Sequence, residues 1–475
     1  MAYRFESDSD SEGSYLASRF ADYGFTDVTR SARGRTVDPM VWDIENPFSN
    51  LHITESRFEG PTGPYVHVDN NMGEQVIAPD LAVFQGMFGS NWQQSPRYTI
   101  IFNTIDTCEF VIDLTDREEP PDGLPTHLMA RIEKPRRNNQ LLCSAAFQKL
   151  AHRKLPSLVP KVWGAGTTRT RDGLQLHYLL SQHYHDAVPA ERFWDEFNPV
   201  VKKAFMKDIV DAMSELQKIN FGDLDMEDWI ILSENGLQTQ EMEDIPAVGN
   251  SQVGWFSDMA TFLMKKLSPG NARYELATSS DGSILLDGDF KRDSSMRHQV
   301  EFTPDNLALL TYSSAFCHND LEPRNILMRP RQVDFGPGYE LVAITNFDSA
   351  GFFPFAYETA VKDTLLGLQN RCASWYDLYK DMTHRFLWVH ENPTGNESSQ
   401  EKLIRAIVLT DAARKNAQGF HVGNRVQEKW LEREMFVRGR NGQDGFVRPE
   451  NFDKVFKPED DARLEEEAME ELGYI

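Results

Sequence analysis

Apolar positions alternate along this chain from Tyr98 and change period more than once before residue 186. Tyr98 to Phe102 is a β-branched and aromatic run, Phe110, Ile112 and Leu114 occupy every second position, and Leu128-Met129-Ala130-Arg131-Ile132 continues the pattern, so three strands are expected. The period then shifts. Leu141, Leu142, Ala145, Ala146 and Leu150 recur at helical spacing, which predicts an amphipathic helix ending before Pro156. Val162-Trp163 and the alternating Leu174, Leu176, Tyr178 and Leu180 flank a Gly/Thr-rich turn and predict a hairpin. Together these segments predict a five-stranded antiparallel sheet with one helix.

Beyond Ser181-Gln182-His183-Tyr184-His185 the pattern becomes helical. Phe205, Ile209, Met213, Leu216 and Ile219 fall on one face of a long helix, and further helices are expected around 357–386, 402–414 and 426–436. The expected class is α+β and two-lobed: a small antiparallel N-lobe over 96–185 and a larger, mainly helical C-lobe over 186–455. Residues 1–20 read as an acidic flexible tail, 21–95 as an Asn-, Pro- and Gly-rich extension without clear period, and 456–475 as an acidic helical tail with a solvated face.

Charge narrows the candidate functions. With 73 acidic against 49 basic side chains and a formal charge of -24, the chain opposes an extended grip on nucleic acid or an anionic membrane. No apolar run is long enough to span a bilayer and the start lacks a signal peptide's apolar stretch, so a soluble cytoplasmic protein is expected. Cys108, Cys143, Cys317 and Cys372 are scattered without C-x-x-C pairing, which indicates neither a disulfide framework nor a zinc site. His183 and His185 alternate, but no carboxylate or cysteine stands at metal-ligand spacing from them.

One segment carries chemistry. Phe316-Cys317-His318-Asn319-Asp320-Leu321-Glu322-Pro323-Arg324-Asn325-Ile326-Leu327 has the H-x-D-x-x-x-x-N spacing of a phosphotransferase catalytic loop. Asp320 is placed to hold and deprotonate an acceptor hydroxyl, and Asn325 to reach a magnesium ion on nucleotide phosphates. Downstream, Asp334-Phe335-Gly336 spells the D-F-G of protein kinases, but it falls between Arg331-Gln332 and Pro337-Gly338, in the turn of a predicted hairpin. A metal ligand belongs at the end of the second strand instead, in Val342-Ala343-Ile344-Thr345-Asn346-Phe347-Asp348-Ser349-Ala350-Gly351.

These two segments resemble the aminoglycoside phosphotransferase and choline kinase-like family, in particular its fungal members. That family pairs H-x-D-L-x-P-x-N-I-L with a later I-D-W-E-x-A-G, then a proline and a tyrosine-glutamate. Here the first half is intact, the second reads Thr345 to Gly351, and Pro354 and Tyr357-Glu358 follow. The resemblance spans roughly residues 98 to 436 and implies a protein kinase-like fold using ATP and Mg2+ on a small-molecule acceptor.

It also implies roles for individual residues. Asp320 would be the base and His318 a brace for the loop, with Asn325, Asn346 and Asp348 toward metal over 344–354. Arg131, or nearby Lys134, would be the phosphate-binding cation, and Ser181 and His183 would form the linker edge for the nucleotide base. Arg324 would contact a phosphate or an acidic group, and Asp363, Trp375 and Tyr379 are candidates to line the acceptor pocket or to serve as core. The acidic surface favours a cationic acceptor.

The sequence departs from the family at the metal segment and in the N-lobe helix, and it shares with many family members the lack of a glycine-rich loop. Asn346 stands where the family has its metal-binding aspartate and Asp348 where it has glutamate, and Asp348 would compensate if residues two apart near a strand end share a side. Gln140 to His152 contains no acidic residue to fix the phosphate cation, and Asn103 to Cys108 contains no glycine. Three readings follow: a small-molecule phosphotransferase, a pseudokinase that binds through the same fold, and a protein kinase, which the missing A-P-E element disfavours.

Overall fold

The computed structural model describes residues 54–56, 77–115, 123–135, 140–225, 228, 248–288, 298–333, 336–367, 370–388, 397–417, 422–438, 445–449, 454, 456 and 458–475. The chain divides into two compact units, one of 1–134 with 167–178 and one of 135–166 with 179–475. The α+β class expected from the periodicity is what the structure has, an antiparallel sheet toward the N-terminus and a largely helical remainder.

In the first unit, β1 (Thr54–Ser56), β2 (Arg97–Asn103), β3 (Thr107–Asp113) and β4 (His127–Glu133) pair antiparallel in sequence order. The sheet continues through β6 (Gln175–Gln182) to β5 (Val162–Arg169), and the boundary between the units crosses both of these strands. It therefore has six strands where five were expected. The extra one, β1, pairs Thr54 with Ile100, and three residues are too few to display a period of two.

Helix α1 (Leu81–Phe88) also falls in the stretch whose pattern was unreadable. It starts at Asp80, whose side chain accepts from Val83 N at 2.9 Å and from Arg171 N at 2.7 Å. Its buried Phe84 packs on Tyr98 and Phe110, at ring separations of 5.7 and 6.1 Å. Gly86 is required by this packing, because a Cβ there would lie 2.1 Å from Thr168 Oγ1.

The second unit begins with α2 (Gln140–Lys154), followed by β7 (Val188–Pro189) and α3 (Pro199–Leu216). Next come β8 (Val248–Asn250), β9 (Gly254–Phe256), α4 (Met259–Lys266), the antiparallel set β10 (Tyr274–Thr278), β11 (Ile284–Gly288) and β12 (His298–Phe302), and α5 (Pro304–Tyr312). The site elements are β13 (Ala315–Cys317), β14 (Ile326–Val333), β15 (Gly336–Ile344) and β16 (Gly351–Phe353). Helices α6 (Phe355–Leu365), α7 (Ala373–Thr383), α8 (Ser399–Ala417), α9 (Val422–Arg433) and α10 (Pro458–Glu471) complete it.

Two short sheets frame the predicted catalytic loop. One has the order β13-β16-β8-β9; in the other β14 pairs with β15 and β7. The β14–β15 pairing runs as far as Val333↔Gly336, while Asp334 and Phe335 of the D-F-G lie outside the described residues. Phe147 of α2 fixes the first sheet from one side, with its ring 6.0 Å from Phe316, 6.1 Å from Phe352 and 6.1 Å from Trp255. Phe316 and Phe352 are themselves register partners across β13 and β16, so one aromatic cluster sets the strand where the loop begins.

The acidic end is more than a solvated face. On α10, Leu464 and Ala468 are one helical turn apart and buried beside Met469. Asp461 pairs with Arg433 at 2.7 Å, Glu465 with Arg371 at 2.9 Å and Glu467 with Lys429 at 3.2 Å. The charge run thus meets basic partners while the apolar stripe behind it packs. Among the described residues, no helix is long and apolar enough to cross a membrane.

Removing the Phe147 ring leaves a cavity beside three other aromatic rings. Phe147→Ala is expected to cost about 3–5 kcal/mol, read as a lower urea midpoint in equilibrium unfolding of the full chain.

Candidate active site

The chain leaves β13 at Cys317 and must turn at once. Asn319 takes the left-handed conformation at φ 59°, which asparagine tolerates better than most residues, and its Nδ2 donates to Ser349 O at 2.9 Å. A single 3-10 turn over Pro323–Asn325, with proline at its first position, then delivers Asn325 to the start of β14. Thr345 N and Oγ1 both donate to Asn325 O, at 2.9 and 3.1 Å. These bonds tie the loop to the end of β15, where Asn346 adopts φ 63°.

His318 is held from every side. Its backbone N–H donates to Glu358 Oε2 at 3.1 Å, and its ring lies edge-on to Phe347 at 4.9 Å. Asp320 N donates to Nδ1 at 3.3 Å, so the ring proton belongs on Nε2, which donates to Thr345 O at 3.0 Å. Burial pushes the imidazole pKa below its usual 6.5, against the opposing pull of Glu358 and Asp320, and the neutral tautomer fits both bonds.

Asp320, only 4% exposed, receives donors on both oxygens. Arg324 donates to Oδ1 in an ion pair, while Asn325 Nδ2 and Asn346 Nδ2 reach Oδ2 at 2.9 and 3.3 Å. Asn325 Nδ2 also donates to Asp320 O at 2.7 Å, and its Oδ1 accepts from Asn346 Nδ2 at 3.2 Å. Arg324 Nη1 is anchored on Asn370 Oδ1 at 2.8 Å. Three of the residues expected to face an acceptor and its metal, Asp320, Asn325 and Asn346, therefore contact one another directly.

Beneath the loop lies a second charged layer that the sequence did not reveal. Lys362 of α6 forms a buried ion pair with Glu322 and donates to Leu321 O at 3.1 Å, a carbonyl that also accepts from Trp375 Nε1 at 3.1 Å. Tyr379 donates to Glu358 Oε1 at 2.8 Å, and its ring carries the Lys362 ammonium at 4.0 Å. Trp375 and Tyr379 are thus fully buried supports of the loop rather than lining for an acceptor pocket. The available signal was Glu358, Lys362 and Asp363 standing as charges on an otherwise apolar helix. Asp363 accepts from Tyr376 and Lys380, and it borders a cavity of about 230 Å³ with Thr364, Asp411, Lys415 and Gln427.

Asn346 and Asp348 do not lie on a strand. β15 ends at Ile344 and the following residues form a turn, so the two-residue period that would bring Asp348 to the side of Asn346 has no strand to act through. The turn is anchored on the β8–β9 connection. Gln252 Nε2 donates to Asp348 O, and Asn250 Nδ2 to Ser349 O, each at 2.9 Å.

The donor set fits a protein-held magnesium ion poorly. The Asp320 carboxylate already pairs with a guanidinium, and the Asn325 carbonyl oxygen is taken by Asn346. Among the described residues no group of three or more His, Cys, Asp or Glu could hold a metal. Asn346 Oδ1 remains a buried acceptor without a hydrogen-bond partner.

The remaining predicted residues are divided between the two units. In the first unit, Arg131 donates to Glu133 Oε2 at 3.1 Å and lies 3.8 Å from Glu109, its cross-strand partner, so strand carboxylates attend the cation for which the helix supplies none. Lys134 pairs with Asp106 at 3.3 Å. In the second unit, Ser181 is buried near the end of β6, and the His183 ring lies 5.8 Å from that of His185.

No protein-family model matches the sequence, and no curated protein matches it. Among solved structures, the chain is similar to a thermostable mutant of aminoglycoside phosphotransferase APH(4)-Ia in its apo form, with 12% identity, 73% of this chain and 92% of that chain covered, and a TM-score of 0.37. It is also similar to a ternary complex of such a mutant with AMP-PNP and hygromycin B, with 12% identity, coverage of 75% and 94%, and a TM-score of 0.35. Similarity at this level leaves the functional reading to the geometry of the site.

Because folding lowers the His318 pKa, the unfolded chain binds the proton first as pH falls. The stability this group contributes is complete above 6.5 and is lost as pH drops toward the folded-state value. Thermal midpoints are expected to fall below about pH 6.5, and less steeply in His318→Gln than in the wild type.

Proposed function

We propose that the chain is an ATP-dependent phosphotransferase acting on a hydroxyl of a small molecule, with Asp320 as the base. The observation that carries this reading is the Asp320–Asn325 contact, formed by residues five apart and fixed by a neutral His318. Asp320 takes the proton of the acceptor hydroxyl as that oxygen bonds to the γ-phosphorus of ATP. The bond from phosphorus to the bridging oxygen breaks, and ADP leaves. No step is assigned to a metal held by the chain.

Both Asp320 oxygens carry donors, so the acceptor hydroxyl competes with them for the carboxylate. Arg324 is the natural one to move, since its long side chain can pass from the carboxylate to the transferring phosphoryl group. For the nucleotide, Arg131 and Lys134 are the proposed phosphate cations, with Ser181 and His183 toward the base. The net charge of -24 favours a cationic acceptor of the amino-alcohol or aminoglycoside kind and disfavours nucleic acid and anionic membranes. A cytoplasmic setting is part of the same proposal.

A second reading is a non-catalytic binding protein of the same class, a pseudokinase. One observation favours it: Asn346 presents an amide donor where a metal-binding carboxylate would stand.

One assay separates the two readings. The full chain is incubated with Mg·ATP and a panel of amino alcohols and aminoglycosides, and ADP and phosphorylated product are measured. A transferase gives acceptor-dependent product, and Asp320→Ala lowers kcat by about 10²–10⁴-fold. Nucleotide binding without turnover across the panel would establish the second reading.

A further inference from the structure

The Asn346 amide has only one orientation compatible with its neighbours. Its nitrogen lies 3.3 Å from Asp320 Oδ2 and 3.2 Å from Asn325 Oδ1, both of which are acceptors. Turning the amide over would set a third acceptor oxygen against those two. Asn325 is fixed in the same way, because its own nitrogen serves Asp320 O and Oδ2. The two amides therefore form a directed chain that ends on the carboxylate.

The formal charge of this cluster is already balanced. Asp320 contributes one negative charge and Arg324 one positive charge in direct contact, and the two amides are neutral. A divalent ion taking Asp320, Asn325 and Asn346 as its ligands would meet no net negative charge from these four side chains and would have to displace the Asn346 nitrogen from both oxygens. The backbone offers little room for that exchange. Asn319 and Asn250 both donate to Ser349 O, at 2.9 Å each, and Gln252 holds Asp348 O at 2.9 Å, so the turn that carries Asn346 is fixed from two sides.

We propose that Asn346 makes this a cation-independent centre, in which its amide nitrogen, with the Arg324 guanidinium, supplies the positive complement that a divalent ion would otherwise provide to Asp320 and Asn325. Any metal that takes part in the chemistry then arrives and leaves with the nucleotide phosphates. The inference rests on the proposed function only in taking this cluster as the ligand centre, and its readout is independent of phosphoryl transfer. It also predicts a switch: a carboxylate at this one position would place two like charges about a hydrogen-bond length apart, an arrangement that requires a cation.

The test uses the full chain without nucleotide, titrated with Mn2+ or Mg2+ after treatment with chelator. Thermal unfolding and the electron paramagnetic resonance signal of free Mn2+ are the readouts. The wild type should show no saturable rise in Tm and no loss of free Mn2+ signal, whereas Asn346→Asp should unfold at lower temperature in chelator and regain stability with Mn2+ at one bound ion per chain. A saturable rise in the wild type that Asn325→Ala abolishes would overturn the proposal, as would an Asn346→Asp protein that neither loses stability in chelator nor binds Mn2+. If Asn346→Asp does not fold in chelator, its recovery on refolding with Mn2+ supports the proposal, and failure to recover with the ion counts against it. Absence of phosphoryl transfer would retire the proposed activity and leave this result standing.

Discussion

A carboxylate at the base of a loop, cut off from water, has to be answered by donors, and the second unit is arranged around that requirement. Asp320 is 4% exposed, and leaving its charge unpaired would cost several kcal/mol. The loop answers it largely from within: Arg324 is four residues on and Asn325 five, while Asn346 comes from a distant segment. Two more buried carboxylates lie next to this one. Glu322 is paired with Lys362, and Glu358 accepts hydrogen bonds from the His318 N–H and the Tyr379 hydroxyl. Each of the three also holds a different piece of the chain, so the same bonds that satisfy the charges fix the backbone.

The topology serves that arrangement. β13 and β14 run into and out of the loop, and they belong to different small sheets. What joins the sheets at the site is the end of β15, through the two Thr345 bonds to Asn325 O and the His318 ring bond to Thr345 O. Two left-handed asparagines, Asn319 and Asn346, make the turns on either side of this junction. Both also donate side-chain hydrogen bonds within the site, which glycine could not do while adopting the same conformation.

The strands from Tyr98 to Ile132, the helix before Pro156 and the catalytic-loop spacing were legible because each is a local signal: a period, a breaker or a fixed separation of chemical types. The three-residue β1 was not, since its only evidence is a pairing with Ile100, forty-six positions away. The support given by Trp375 and Tyr379 was equally hidden. A buried aromatic reads the same in sequence whether it packs in a general core or carries a hydrogen bond to Leu321 O or Glu358. The strand period on which the expectation for Asp348 rests does not reach that residue, because β15 ends at Ile344 and Asn346 adopts a φ of 63°. The apolar stripe of α10 was masked by its charges, which mean a solvated face only when no basic partners are nearby.

A common theme runs through the residues to which the proposed function gives a ligand: their charges are already paired inside the protein. Asp320 has Arg324, Arg131 has Glu133 and Glu109, and Lys134 has Asp106. A ligand charge approaching any of them gains little from bare attraction, since it must take the place of a partner already in contact. Recognition then depends on exchange, and exchange rewards geometry over charge: a group must offer the displaced side chain an equal partner as it takes the position. For Asp320, on the proposed function, a hydroxyl arriving alone would compete poorly with Arg324, whereas a hydroxyl arriving beside a phosphoryl group would bring the guanidinium a new acceptor. Under the proposed function, the pairing that stabilises the loop would thereby couple occupation of Asp320 to the presence of the group to be transferred.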